Sequence, residues 1–481
     1  MNSPALTADY AQNHQLMETT LRVDRSFDLL ERNVVIGGRQ AAMYFIDAFT
    51  KDEVLEKMLE FLSKIAPEDF DSLPTTLDFI KRFITYTEVG SEKQLDKIAT
   101  AVLSGTLALI IEGYDEAILI DARTYPVRSV SEPEDDRVLR GSHDGFVETL
   151  VFNAALIRRR IRDPRLSMEI VQVGGKSKTD IVMCYMDGVA RQKHVDTIRK
   201  KLQNITIPSL SMSQESLSEC LLRDQHWNPF PRIRLTERPD RAAASVLEGK
   251  ILILVDTSPV AMVLPTAIFD FLQDTNEYYF PPLIGSYLRV IRFIIFLMTL
   301  FLMPTWFLFV SHPEHIPPWL EVFNIVEPNS VPLLAQILAV ELIVDGLRIA
   351  SLNTPSSLSN AFGLVGALIL GEFAVAAELF VPEVLLYMAF VSVFSFVQPS
   401  IQLGYTFKLY RIVFILLIAL GGIWGFYGGL IAFLIGIAAM LLTLVFTKTV
   451  TGLHYLYPLI PFNAQALWRL LFRRSISRHN T

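Results

Sequence analysis

"FIIFLMTLFLMPTWFLFV", residues 293–310, is a run of eighteen residues without a charged side chain. A helix of about 20 apolar residues is long enough to cross the hydrocarbon core of a bilayer. Arg289 and Arg292 precede the run, and positive charges collect on the cytoplasmic side of spanning helices. The stretch therefore predicts a membrane helix that enters from the cytoplasm.

The apolar segments after residue 310 extend this prediction to a multi-pass α-helical membrane protein. With the first run they give about six spans, near 290–310, 331–350, 361–379, 383–399, 409–425 and 427–447. Arg348, the pair Lys408 and Arg411, and Lys448 fall at alternate ends of these spans, which places both termini in the cytoplasm. The transmembrane domain is expected at 286–450. Its "GGIWGFYGG" segment, 421–429, is either a tight outer hairpin or part of a re-entrant segment.

Composition divides the 481-residue chain into a polar front and an apolar back. Hydrophobic residues make up 51% and charged residues 19%, and the mean hydropathy is +0.37, which is too apolar for an ordinary soluble enzyme. Only eight of the 43 Lys and Arg residues follow residue 312. The net charge of −7 argues against a nucleic-acid partner. Cys184 and Cys220 have no metal-like spacing and are expected to be free thiols on the cytoplasmic side.

The polar front predicts a two-lobed α/β or α+β cytoplasmic domain. Apolar residues at helical spacing indicate helices at 52–65 and near 76–88, 92–104, 145–162, 194–204 and 214–223. Paired apolar runs around Gly-containing or polar turns indicate hairpins at 107–121, 168–186 and 250–265. The lobes are expected at 26–130 and 131–285. Residues 1–25 are expected to form a disordered tail without a cleavable signal peptide.

Several motifs in the front resemble functional sites without meeting their requirements. "VGGKSK", 173–178, contains Gly-Lys-Ser, but Ile170 stands where a phosphate-binding loop needs its first glycine. "VDTSP", 255–259, lacks the glycine and the second copy of an aspartic-protease signature, so a turn after a strand is favoured. The run Arg158–Arg160 could meet lipid headgroups or an acidic partner, although a solvated helix end is favoured. The histidines lack metal-ligand spacing, so we expect no enzyme, cofactor or metal site.

Glu341, Asp345 and Arg348 lie within the second predicted span. Their i, i+4, i+7 spacing puts them on one stripe, and Arg348 can pair with Asp345. A lipid-facing charge near mid-membrane costs about 2.5–3.5 kcal/mol, so the stripe should face protein or water. A structural ion pair between helices and a role in gating or an ion path both remain open.

The third predicted span carries small residues along one seam. Gly363, Ala367, Gly371, Ala374 and Glu378 follow each other at steps of three or four. Small residues allow close helix packing, but the same seam also suits the wall of a narrow pore in an oligomer. On that second interpretation Glu378 forms a carboxylate ring at the outer mouth and Glu372 lies deeper on an adjacent face. Such rings favour cations.

The C-terminal tail, 451–481, is expected to be cytoplasmic. Within it, "FNAQALWRLLFRRSI", 462–476, combines leucines and Trp468 with arginines near a polar edge. This pattern predicts an amphipathic helix that lies on the inner membrane surface, with lipid as its partner.

The segment "NPFPRIRLTERPD", 228–240, and the "VDTSP" turn that follows strongly resemble the signature of the GerA family, the A-type subunits of bacterial spore germination receptors. The residues that carry the likeness are Pro229, Phe230, Pro231, Thr236, Glu237, Arg238, Pro239, Asp240, Asp256 and Pro259. Thr257 replaces the commoner serine. The likeness continues in "FGLVGALILGEFAV", 362–375, and extends from roughly residue 25 to the C-terminus.

The resemblance implies a spore inner-membrane protein with both termini in the spore core. It implies a ring homo-oligomer, such as a pentamer, that forms a ligand-gated ion channel with helix 361–379 as the pore lining. It further implies other spore germination membrane proteins as partners, and an Asp345–Arg348 pair clamped between neighbouring subunits. The expected function is release of monovalent cations on a germination signal. A non-conducting scaffold and a secondary transporter are the alternatives, although no internal repeat supports a transporter.

Overall fold

The computed structural model describes residues 4–123, 141–222, 227–274, 277, 279–327, 329–353 and 374–471. The chain forms two compact units. The first consists of Met1–Gln225, Ile233–Thr266 and Val450–Gly452, and the second of His226–Arg232, Ala267–Thr449 and Leu453–Thr481. The main chain passes to the second unit at Ala267, earlier than the boundary expected at residue 285.

The first unit begins with an antiparallel five-stranded sheet. Its strands are β1 (Leu29–Ile36), β2 (Arg39–Ile46), β3 (Val89–Glu92), β4 (Leu107–Ile111) and β5 (Ala117–Ile120), in the order β1-β2-β4-β5-β3. The accompanying helices are α1 (Tyr10–Leu21), α2 (Asp52–Leu62), α3 (Thr76–Phe83) and α4 (Leu95–Leu103). Neighbouring residues of β2, such as Ala42 and Met43, belong to different core clusters, so both faces of the sheet are covered.

A second antiparallel sheet follows in the same unit. Its strands are β6 (Leu166–Val173), β7 (Thr179–Met186), β8 (Arg234–Thr236), β9 (Ile251–Val255) and β10 (Ala261–Leu264), in the order β6-β7-β9-β10-β8. The helices are α5 (Leu150–Arg160), α6 (Gln192–Gln203), α7 (Ser213–Leu221) and α8 (Pro239–Leu247). All three predicted hairpins are confirmed, and the glycines at 174 and 175 form the turn between β6 and β7. Antiparallel sheets make this unit α+β rather than α/β.

Two sequence-based expectations for the first unit are wrong. The tail expected to be disordered contains α1, which is capped by the Asp9 side chain and buries Met17 and Leu21. Arg158, expected at a solvated helix end, is 1% exposed, and its Nε lies 2.9 Å from Oδ2 of Asp28. Helix α1 and the buried Arg158 side chain are both held by contacts with distant parts of the chain. A local sequence pattern does not reveal such contacts.

The second unit is built from helices. They are α9 (Pro282–Val310), α10 (Leu333–Asn353), α11 (Ala374–Ala376), α12 (Pro382–Phe396), α13 (Ile401–Gly422), α14 (Phe426–Phe446) and α15 (Ala464–Leu471). Among the described helices, three are long and apolar enough to cross a membrane, namely α9, α13 and α14. Helices α10 and α12 occupy two further predicted spans. The number of crossings and the sides of the termini stay predictions.

The described residues also form short 3-10 helices at Val23–Arg25, Asp47–Phe49, Pro67–Ser72, Ile268–Phe271, Pro313–His315 and Pro318–Phe323. Of the alternatives for "GGIWGFYGG", the structure adopts the tight hairpin, because α13 ends at Gly422 and α14 begins at Phe426. The predicted C-terminal helix is present as α15.

Candidate functional site

Four ionisable side chains of the second unit meet where α10 packs against α13. Glu341 on α10 is 3% exposed, and its Oε1 accepts hydrogen bonds from Nε and Nη2 of Arg411 on α13, at 2.7 and 2.6 Å. The Nζ atom of Lys408 lies 3.0 Å from Oε2 of Glu341 and 2.5 Å from Oδ1 of Asp345. We call these four residues the charge cluster. Its two carboxylates and two cations neutralise each other.

Residue spacing on the two helices makes this arrangement possible. Glu341 and Asp345 are four residues apart, and Lys408 and Arg411 are three apart, so each pair projects from one side of its helix. Removing one member of a buried ion pair costs about 3–5 kcal/mol, because the partner stays buried without a counter-charge. The stripe of charges on α10 is therefore tolerated because its counter-charges lie on another helix of the same chain.

A third helix joins the charge cluster through backbone and side-chain hydrogen bonds. Nη1 of Arg411 donates to the carbonyl oxygen of Thr299 on α9 at 2.8 Å. The Thr299 hydroxyl accepts a hydrogen bond from Nε2 of Gln398, in the loop before α13, at 2.9 Å. Arg411 thus connects α13 to both α9 and α10, which makes it the central residue of the polar network.

Arg348 contacts two aromatic rings within the chain, and its pairing with Asp345 between neighbouring subunits stays a prediction. In the described chain Asp345 pairs with Lys408, while the Arg348 guanidinium lies over the rings of Phe396 and Tyr405, 4.8 and 5.3 Å from their centroids. A cation over an aromatic face is stabilised by the ring quadrupole. The expected clamp between subunits is therefore not needed to neutralise Asp345.

Lys408 and Arg411 are the functional candidates that sequence reasoning missed. The sequence pattern places both at the cytoplasmic end of a span near 409–425, whereas α13 begins earlier, at Ile401, where the Ser400 side chain caps it. Their side chains are largely buried. The available signal was their i, i+3 spacing inside "GYTFKLYRIVFILL", 404–417, which is compatible with one face of a longer helix.

Only part of the predicted pore seam can be located. Gly363, Ala367, Gly371 and Glu372 lie outside the described residues. Ala374 is buried in α11, which ends at Ala376. Glu378 follows the end of that helix in a turn with a positive φ of 53°, and its carbonyl oxygen accepts a hydrogen bond from Asn329 at 2.9 Å. Its carboxylate therefore does not continue a helical seam.

The signature residues of the first unit organise its second sheet. Arg238 is fully buried, and its Nε and Nη2 donate to the carboxylate of Asp240 at 3.1 and 2.6 Å. Asp256, which follows β9, accepts a hydrogen bond from the N–H of Leu150 at the start of α5, at 3.2 Å. Of the remaining residues here, Thr236 ends β8, Glu237 follows it, Pro239 begins α8 and Pro259 lies in the turn between β9 and β10. Their positions suit a role in folding rather than in catalysis.

Within the described residues, His14, Glu18 and Glu31 lie close enough to share an ion. However, Nε2 of His14 contacts Glu31 at 2.7 Å, whereas its Nδ1 faces Glu18 at 3.5 Å. One ion can use only one of these ring nitrogens, so it could not bridge both existing contacts without reorienting the ring. These three residues are better explained as a polar contact that holds α1 against β1 through His14 and Glu31.

Comparison with known proteins assigns the chain to a family. Residues 15–481 match the family model described as the Bacillus/Clostridium GerA spore germination protein. The chain belongs to the GerA family. The resemblance drawn from the signature residues is thereby confirmed, and the matched range includes residues of both units.

Among its relatives, this GerA-family chain is 36% identical over 465 residues to stage V sporulation protein AF of Bacillus subtilis (strain 168), covering 96% of this chain and 92% of that protein. It is 29% identical over 479 residues to spore germination protein KA of the same organism, covering 98% of this chain and 85% of that protein. A solved structure is also similar to this chain, with 27% sequence identity and a TM-score of 0.43. It is the crystal structure of the N-terminal domain of the A subunit of the Bacillus megaterium spore germinant receptor GerK3. It covers 55% of this chain and 97% of that domain.

Proposed function

We propose that this chain is a subunit of an oligomeric ion channel in the spore inner membrane, which releases monovalent cations on a germination signal. The observation that carries the proposal is the charge cluster. Placing four ionisable side chains in a bundle of apolar helices costs free energy. Such residues are therefore expected to have a role in structure or in transport. Here they connect α10, which precedes the candidate pore segment, to the bundle helices α9 and α13.

The family adds the biological setting. The relatives named for sporulation or spore germination resemble this chain over nearly its whole length, which supports a membrane role in the same process. We propose that the first unit forms the two cytoplasmic lobes expected near 26–130 and 131–285, with the second lobe ending at Thr266. The model of six spans with both termini in the spore core belongs to the same proposal, as does contact with other germination membrane proteins.

The pore itself is proposed from the sequence. Segment 361–379 would line it, with Gly363, Ala367, Gly371 and Ala374 allowing close approach around an axis and Glu372 facing the ions. This requires several copies of the chain, and a ring homo-oligomer such as a pentamer satisfies the requirement. Glu378 stays near the pore end in this proposal, on a turn rather than on the lining seam.

Two other functions give different outcomes in one experiment. The purified chain is reconstituted into liposomes loaded with potassium, and efflux is measured together with the mass of the assembly. A channel subunit gives rapid, non-saturating efflux from an oligomer. Saturable transport by a monomer would indicate a secondary transporter. No flux, with or without co-reconstituted germination membrane proteins, would contradict the channel and favour the scaffold.

A further inference from the structure

Part of the family signature is held by the helical unit rather than by the sheets. Residues Asn228–Pro231 belong to the second unit, although the chain up to Gln225 and from Ile233 belongs to the first. We call this stretch the anchor segment. Its four residues make hydrogen bonds and ring contacts with α13, Thr447 and Tyr455, which are also parts of the second unit.

Hydrogen bonds fix the backbone of the anchor segment at both prolines. The Thr406 hydroxyl, on α13, donates to the carbonyl oxygen of Pro229 at 2.6 Å. The Tyr455 hydroxyl donates to the carbonyl oxygen of Pro231 at 2.5 Å. Proline has no N–H, so the segment offers mainly acceptors, and these two hydroxyls supply donors. The N–H of Phe230, between the prolines, donates to Oδ1 of Asn228 at 3.0 Å.

The Asn228 side chain extends the attachment to the end of α14. Its Nδ2 donates to Oγ1 of Thr447 at 2.6 Å, and Thr447 is itself buried. The anchor segment is therefore tied by side-chain hydrogen bonds to α13, to the residue after α14 and to Tyr455. Three attachments at separate points of the chain resist both sliding and rotation of the segment.

Phe230 provides the apolar contact of the anchor segment. Its side chain is 2% exposed and belongs to the core of the helical unit. The ring centroid lies 5.4 Å from that of Tyr410 on α13 and 6.1 Å from that of Tyr455. Buried aromatic rings at such separations contribute both area and ring–ring contact. Phe230 thus packs on the same helix that Thr406 holds by a hydrogen bond.

The residues that hold the anchor segment alternate along α13 with members of the charge cluster. Thr406 and Tyr410 contact the segment, whereas Lys408 and Arg411 contact Glu341 on α10. All four lie within two turns of one helix. A helix moves as a rigid element. A change in how Phe230 packs on α13 would therefore change the distances from Lys408 and Arg411 to the Glu341 carboxylate.

We infer that the anchor segment positions α13 and so keeps Lys408 and Arg411 on the carboxylates of α10. Phe230, Thr406 and Tyr455 are positioning residues in this scheme, because they act on the charge cluster through the helix. The inference deepens the proposed channel function, since it makes the anchor segment a determinant of the resting state. The positioning itself can be tested without any ion flux.

Hydrogen–deuterium exchange of the full chain in detergent provides that test. Phe230→Ala should accelerate amide exchange by about tenfold at 405–412 and at 340–346, because α13 and α10 lose their fixed contact. Exchange in β6 and β7 should not change. Phe462→Ala, at an exposed phenylalanine of the same unit, is the matched control and should leave all these segments unchanged.

Milder variants separate positioning from general loss of packing. Thr406→Val and Tyr455→Phe keep side-chain size but remove the two hydroxyl donors, so each should accelerate exchange at 405–412 less than Phe230→Ala. Phe230→Leu should restore most of the protection. Unchanged exchange at 405–412 in Phe230→Ala would overturn the inference. So would equal acceleration in the sheets, because Phe230 would then be a general folding residue.

Ion flux adds a second readout that depends on the proposed function. If the chain conducts, Phe230→Ala should raise the fraction of open channels without a signal by about tenfold, and an unchanged fraction would contradict the inference. If the wild-type chain does not conduct, the channel proposal fails by itself. The exchange experiment then still decides whether the anchor segment positions α13.

Discussion

Glu341 is the central carboxylate of the charge cluster. Its carboxylate contacts both Lys408 and Arg411, while among the described residues Asp345 forms an ion pair with Lys408. The carboxylate spacing on α10 was apparent from the sequence, but the cations were not, because positive residues near a span are normally attributed to its cytoplasmic end. Ion pairs between helices depend on packing, which one chain segment does not specify.

Replacing Glu341 by Gln should destabilise the helical unit. Lys408 and Arg411 would stay buried with only the half-buried Asp345 as a counter-charge, so we expect a loss of about 3 kcal/mol in the free energy of unfolding. Thermal melting in detergent measures the effect. Glu321→Gln, at an exposed carboxylate, is the control. Equal melting temperatures for Glu341→Gln and the wild type would contradict the role assigned to the cluster.

His194 should make the first unit sensitive to acid. It is 8% exposed, and its ring nitrogens have no hydrogen-bond partner in the part of the chain that the structure describes. Burial, and then the charges of Arg191 and Lys193, lower the pKa of His194 below its usual value of about 6.5. Below that pH the unfolded chain binds a proton that the folded chain does not. Stability is therefore complete above about pH 6.5 and is lost as pH falls toward the lowered pKa.

His194→Leu should reduce this loss, because leucine cannot be protonated. The measurement compares melting temperatures of the full chain at about pH 7.5 and about pH 5.5. His454→Leu, at an exposed histidine, serves as the control and should melt like the wild type at both values. If His194→Leu lost as much stability on acidification as the wild type, another group would be responsible.

At the scale of elements, the α13–α14 hairpin depends on the close approach of two glycines. A Cβ atom added at Gly421 would collide with the carbonyl oxygen of Gly428 and would lie 2.7 Å from Cβ of Ala432. A Cβ added at Gly428 would collide with the carbonyl oxygen of Gly421. Helices approach this closely only where side chains are absent or very small.

Alanine at Gly421 or Gly428 should therefore force the two helices apart. Overpacking of this kind costs about 1–3 kcal/mol, which should appear as a lower melting temperature for each variant. Gly346→Ala on α10 is the matched control, since in the described part of the chain an added Cβ there would meet no atom within 4 Å beyond its chain neighbours and its own helix backbone. That variant should be neutral or slightly stabilising. Melting temperatures unchanged by alanine at both hairpin positions would refute the close approach.

Local patterns predicted those elements whose apolar period is strong. The helices expected near 52–65, 76–88 and 214–223 are present as α2, α3 and α7. Helix α1 was missed because its few buried apolar residues give little periodic signal, although they pack into the core of the first sheet. The β1–β2 hairpin was missed as well, because polar residues of β1 interrupt its alternation.

The whole molecule combines a two-sheet unit with a unit of membrane-type helices. The GerA-family match includes both, and the signature residues divide between them, with Arg238 in the first and Phe230 in the second. Fold class and family could be derived from sequence because long apolar runs and the signature are local. The charge cluster and the anchor segment could not, because both depend on residues far apart in the chain.

Planar-bilayer recording of the purified protein is the most direct test of the proposed function. We expect cation-selective currents that Gly371→Trp blocks, because the larger ring would fill a pore lined by small residues. Ile435→Trp, at an exposed position of α14, should leave them intact. A folded oligomer that never conducts, or currents equal in wild type and Gly371→Trp, would contradict the channel and its assigned lining.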